Sequence, residues 1–232
     1  MAKLVWDQVG EHLYETGVNH AVLFPYDKTQ SAYGKGVAWN GITGVTESPS
    51  GAEATALYAD NIKYLNLRST EEFGATVTAY TYPDEFAVLD GSAEIASGVT
   101  IGQQNRGTFG LAYRTELGND TEGNDYGYKI HIIYGATATP SEKAYSTIND
   151  SPSAIEFSWT INTTPVAVTG FKPTASVVID STKFKTTEEK NKLKAFENYL
   201  YGTDAEGTTA GTDAQLPMPS KIVELLGSNT QG

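Results

Sequence analysis

Two runs of alternating side chains, at 107–116 and 126–138, leave this chain little choice of backbone. In "GTFGLAYRTE" Phe109, Leu111 and Tyr113 alternate with Gly110, Ala112 and Arg114. In "YGYKIHIIYGATA" Tyr126, Tyr128, Ile130, Ile132 and Tyr134 occupy every second position. Successive side chains of an extended chain point to opposite faces, so a period of two marks a strand, whereas a helix repeats near 3.6. Between the runs lies "LGNDTEGND", whose Gly, Asn and Asp are turn formers. The simplest reading is a β-hairpin with an acidic turn.

Further strands are expected at 20–26, 35–41 and 71–85, in strand-like pieces within 41–67 either side of Ser48–Gly51 and in "IKYLNL" beyond Asn61, at 154–164 with Ile155, Phe157, Trp159 and Ile161 in alternation, and at 175–179. Turn signals separate them: the polar stretch 27–36, Ser48-Pro49-Ser50-Gly51, and Ala59-Asp60-Asn61. Many short strands at this spacing predict a mainly β fold, a sandwich or barrel. Residues 83–91 read as one or two helical turns ending at Gly91. One longer helix is expected at about 187–201. Thr186 and Glu189 form a capping box, and Leu193, Phe196, Tyr199 and Leu200 form an apolar stripe. Glu188 and Lys192 are a favourable i,i+4 pair, and Gly202 ends the run.

This divides the chain into an N-terminal arm (1–19), a β domain with its flanking helix (20–202) and a C-terminal segment (203–232). The last begins as a small, polar tether to about 215. It regains apolar residues in "LPMPSKIVELLG", where Ile222, Val223, Leu225 and Leu226 need a surface to dock on. That surface is either a second molecule or the chain's own domain.

Charge and composition narrow the function. Lys and Arg number 16 against 28 Asp and Glu, a formal net charge of −12. Such a chain repels nucleic-acid backbone and anionic membranes. With no Cys, disulfides, thiolate metal sites and Cys nucleophiles are excluded. The N-terminus lacks the apolar stretch of a signal peptide, and no run approaches the ~18 apolar residues of a membrane helix.

The acidic turn is the best candidate for a metal. Asp120, Glu122 and Asn124 reproduce the 1, 3, 5 spacing of an EF-hand loop. The sixth position carries Asp125 where Gly is required, and the twelfth carries His131 where a bidentate Glu is required. As an acid–base pair, Asp120 and Glu122 would need a cleft that a solvated turn does not offer. His12, His20 and His131 have no partner at metal-ligand spacing, and no phosphate-loop, nucleophile-elbow or zinc-helix motif is present. The reading is of a non-enzyme without catalytic residues or cofactor, working through its surfaces.

Long runs of the chain also resemble one family. They are "LVWDQVGEHLYETGVNHAVLFP", "GVAWNGITGVTESPSGAEATALYADNIKYLNL", "EEFGATVTAYTYPDEFAVLDGS", "GVTIGQQNRGTFGLAYRTELGNDTEGNDYGYKIHIIYG", "TPSEKAYSTINDSPSAIEFSWTINTTPV" and the closing "LPMPSKIVELLG". Together they are similar to the major tail protein, or tail tube protein, of long-tailed, non-contractile bacteriophages. The resemblance implies a structural virion protein of the tail-tube type of β-sandwich or barrel. Such subunits self-assemble into homohexameric rings stacked around a tape-measure protein. Tail terminator and distal tail or baseplate proteins meet the tube's ends, and double-stranded DNA passes through it into the host. The implied location is the virion tail, with host cytoplasm during assembly. The arm, the 41–62 region and the 203–227 segment are the expected contacts between copies. The competing expectation is a carbohydrate-binding β-sandwich with a weak calcium loop at Asp120, Glu122 and Asn124.

Overall fold

The computed structural model describes residues 3–148, 150–205, 207 and 210–227. The strands, in chain order, are β1 (Tyr14–Asp27), β2 (Ala32–Tyr33), β3 (Val37–Ala38), β4 (Ile42–Glu47), β5 (Ser50–Gly51), β6 (Ala54–Ala59), β7 (Ile62–Arg68), β8 (Glu71–Glu72) and β9 (Gly74–Ala79). They continue as β10 (Ala93–Ala96), β11 (Val99–Ile101), β12 (Phe109–Asn119), β13 (Gly123–Ala138), β14 (Phe157–Thr163) and β15 (Ser176–Asp180). Three helices are interspersed: α1 (Asp84–Leu89), α2 (Thr187–Tyr201) and α3 (Pro219–Leu226). The protein is mainly β with a flanking helix, as the alternation predicts.

The main sheet is antiparallel and runs β2-β1-β12-β13-β14-β9-β4, with β15 on β13 and β3 on β1. It curls until β4 returns to touch β1. Inside the curl is one apolar layer: Leu23, Phe109, Leu111, Tyr113, Ile133, Val77, Trp159 and Ile161. α1 plugs its end, with Phe86 against Trp39, Trp159 and Phe109 at ring separations of 4.5, 5.1 and 5.5 Å. The outer face of β1, β12 and β13 forms a second layer, in which Phe24, Ala112, Ile130, Ile132 and Tyr134 meet Leu193, Phe196 and Leu200 of α2. The alternate positions of β12 and β13 therefore face two cores. Gly135 lies where the register between these strands shifts. Its φ is +57°, and a Cβ there would sit 2.2 Å from the Thr164 carbonyl oxygen.

Several boundaries move. β1 already begins at Tyr14, inside the segment read as arm, because β12 offers it a partner as far as Gly118. The strand expected at 35–41 is reduced to Val37–Ala38, and Ile155 precedes β14. Ser48–Gly51 does not fold β4 back on β6: β4 pairs with β9, and β6 pairs with β7 around Asp60 and Asn61. Both of those turn residues have positive φ, 52° and 63°, as a tight two-residue hairpin requires. α2 has the expected capping box and ends at Gly202, φ 80°. No described helix is long and apolar enough to cross a membrane.

Candidate functional site

The acidic turn joins β12 to β13, with Asn119 opposite Gly123. Asn119 shapes it by accepting from the amides of Thr121 and Glu122, at 3.1 and 2.6 Å. The Asp120 carboxylate then faces the chain's own arm. The Gly10 amide donates to both oxygens of Asp120, at 3.0 and 3.2 Å, and His12 Nδ1 lies 3.1 Å from the same carboxylate. The Tyr14 hydroxyl donates to Asn124 Oδ1 at 2.7 Å. The Gly10 amide, then His12, holds the Asp120 carboxyl below the usual carboxylate range. Asp120 and Asn124 are thus engaged separately as clasps for the arm. Among the described residues no group of three or more His, Asp or Glu could hold a metal ion.

The histidines acquire partners that spacing along the chain does not reveal. His12 sits between Asp120 and Asp7. His131 sits between Glu15 and Glu47, each 3.5 Å away, with its ring stacked on Tyr113. Thr115 Oγ1 lies 3.0 Å from His131 Nε2, which superficially suggests a nucleophile beside a base. That hydroxyl is already committed to Glu15 Oε1 at 2.6 Å. Burial raises the Glu15 carboxyl, but the hydrogen bonds from Lys129 and Thr115 outweigh it and leave the group lowered. The cluster is a polar tie between strands.

Asp90 is a buried charge that the sequence does not single out. It receives Arg106 at 2.6 Å, Lys143 at 3.0 Å and the Trp159 indole at 3.3 Å. It fixes both the return from β11 to β12 and the long connection from β13 to β14 against α1.

Exposed apolar surface is concentrated on appendages to the sheet. Among the described residues the β6–β7 ribbon pairs only with itself, and Leu57, Tyr58, Ile62, Tyr64, Leu65 and Leu67 are all exposed on it. Leu57 lies opposite Leu65, and Thr55 opposite Leu67, so one face is apolar along much of its length. A second free ribbon, β10–β11, exposes Ile95, Val99 and Ile101. The arm exposes Leu4, Val5, Trp6, Val9 and Leu13. β9 separates the ribbons: β6–β7 precedes its first residue, and α1 and β10–β11 follow its last. Six residues of strand span about 20 Å at ~3.3 Å each, so the two ribbons leave opposite ends of the sheet.

The C-terminal segment behaves differently. Thr203 and Thr212 pair through both amides, the Gly36 amide reaches the Ala214 carbonyl, and the Gln215 amide reaches that of Tyr199. Residues 206, 208, 209 and 228–232 of this segment lie outside the described residues. Leu216 is buried, the Tyr134 hydroxyl donates to the Pro217 carbonyl, and Met218, Ile222, Leu225 and Leu226 pack into the layer under α2. Of the two docking surfaces open to it, the chain's own domain takes these side chains. The expected tether is closed on itself by the Thr203–Thr212 pair and is bonded to the body at Ala214 and Gln215. No protein-family model matches the chain, and no curated protein matches it significantly.

Proposed function

We propose that the protein is a self-assembling structural subunit of a tail tube, joining in homohexameric rings that stack head to tail. The observation that carries this reading is the β6–β7 ribbon. An isolated two-stranded ribbon is marginally stable in water, and its edges and apolar face invite pairing. Here neither strand packs on the body of the subunit, and a second copy is the natural cover. Apolar ribbons at opposite ends of the sheet suit a heterologous contact, which repeats without limit along an axis. In that setting the tape-measure protein occupies the lumen first, tail terminator and distal tail proteins meet the ends, and double-stranded DNA follows. A net charge of −12 favours sliding of DNA over sticking.

The carbohydrate-binding alternative rests on the aromatic residues and the acidic turn, and Asp120 of that turn is occupied by the arm. Negative-stain electron microscopy of the purified protein is the test. Rings or tubes of constant diameter are expected at high protein concentration. A monodisperse monomer at every concentration overturns the reading.

A further inference from the structure

His131 holds an unusual position on β13. Its side chain is 13% exposed and lies parallel to the Tyr113 ring, 4.7 Å between centroids. The hydrogen bonds around it determine where its proton sits. The Thr115 hydroxyl has one hydrogen, which it gives to Glu15 Oε1 at 2.6 Å. Its contact with His131 Nε2 at 3.0 Å must then be donated by the ring. A neutral ring with its hydrogen on Nε2 leaves Nδ1 as a bare lone pair. That atom is buried without a hydrogen-bond partner, and it faces Glu47 Oε1 at 3.5 Å. The Tyr113 hydroxyl already donates to the same oxygen at 2.7 Å, so no other described donor resolves the opposition. A proton on Nδ1 would convert a lone pair facing an anion into a charge-assisted hydrogen bond.

The charged groups around the ring come from three strands: Glu15 on β1, Glu47 on β4 and Lys129 on β13, the last bonded to Glu15. β12 contributes the Tyr113 and Thr115 hydroxyls. Glu47 is the last residue of β4, an edge strand, and the chain leaves it for β5 and the β6–β7 ribbon.

We infer that His131 is a proton-operated tie. Protonated, it bridges Glu15 and Glu47 and pins the base of the β6–β7 ribbon to the sheet. Neutral, it leaves Glu47 held by the Tyr113 hydroxyl alone and loosens the end of β4. The direction follows from the geometry: a ring with hydrogen on both nitrogens completes the link to Glu47, and a neutral ring with hydrogen on Nε2 lacks it. The tie stands whether or not the ribbon docks a second copy, so it is read on the dilute subunit.

Amide hydrogen exchange of residues 46–51 between pH 5 and 8, corrected for intrinsic exchange, tests it. Protection is expected to fall on the order of tenfold as pH rises, the worth of one charge-assisted hydrogen bond. His131→Gln should give a flat profile. Glu47→Gln should also flatten it. Protection of β9 and β14 amides in both variants reports that the sheet has formed. Equal pH dependence in wild type and His131→Gln overturns the tie, as does a neutral ring whose nitrogen shifts place the hydrogen on Nδ1. If either variant fails to protect β9 and β14, the ring-nitrogen shifts of the wild type decide alone.

Discussion

A carboxylate that is 8% exposed has to be satisfied by its neighbours, and Asp90 is held by Arg106, Lys143 and the Trp159 indole. Removing its charge leaves two cations facing each other beside an aromatic cluster. Breaking one side of a buried ion pair costs about 3 kcal/mol. Asp90→Asn should therefore lower unfolding free energy by about that amount, measured by urea denaturation; a loss below ~0.5 kcal/mol would refute the assignment. Nothing in the sequence around Asp90 announces this, because its partners lie 16, 53 and 69 residues away. The acidic turn shows the same limit. Its Gly, Asn and Asp are legible as a hairpin turn, since turn chemistry is local. Its work on Gly10 and His12 depends on contacts about a hundred residues apart, which periodicity cannot see. His131 reads as an ordinary strand residue for the same reason.

Elements with a strong internal signal were legible almost to the residue. The capping box and stripe of α2, the β12–β13 hairpin and the Asp60-Asn61 turn each carry their own local chemistry. Elements whose extent is set by a partner were not. β1 lengthens because β12 is there to pair with it, and 35–41 shrinks because only Val37 and Ala38 meet β1. The segment 203–215 is small and polar, yet Thr203 pairs with Thr212, and Ala214 and Gln215 are bonded to the body, all through backbone groups that composition does not register. The β6–β7 ribbon gives the element-scale prediction. Leu57 and Leu65 face each other on it and support no core, so Leu57→Ser with Leu65→Ser should leave the subunit's stability within ~0.5 kcal/mol in urea. The same pair should abolish rings in sedimentation velocity runs. Intact rings in the double variant would remove the ribbon from the joint.

At the scale of the molecule, apolar ribbons and a charge of −12 act against each other. In the proposed assembly, copies attract through their ribbons at contact and repel through their net charge at longer range. Raising ionic strength from ~10 mM to ~150 mM shortens the screening length from about 30 to about 8 Å. Self-association followed by light scattering should therefore accelerate with salt. Slower association at the higher salt would mean that specific ion pairs, rather than apolar burial, hold the joint. The bare ribbon has one more consequence. If copies join as proposed, then until a neighbour covers the ribbon six large apolar side chains stand in water on a strand pair with open edges. Any stray edge of another protein is a competitor for that site, so the interval before capture is a hazard with a clock on it. On that reading the excess of acid would also act as a chaperone of sorts, keeping newly made copies apart until they are concentrated enough to meet each other first.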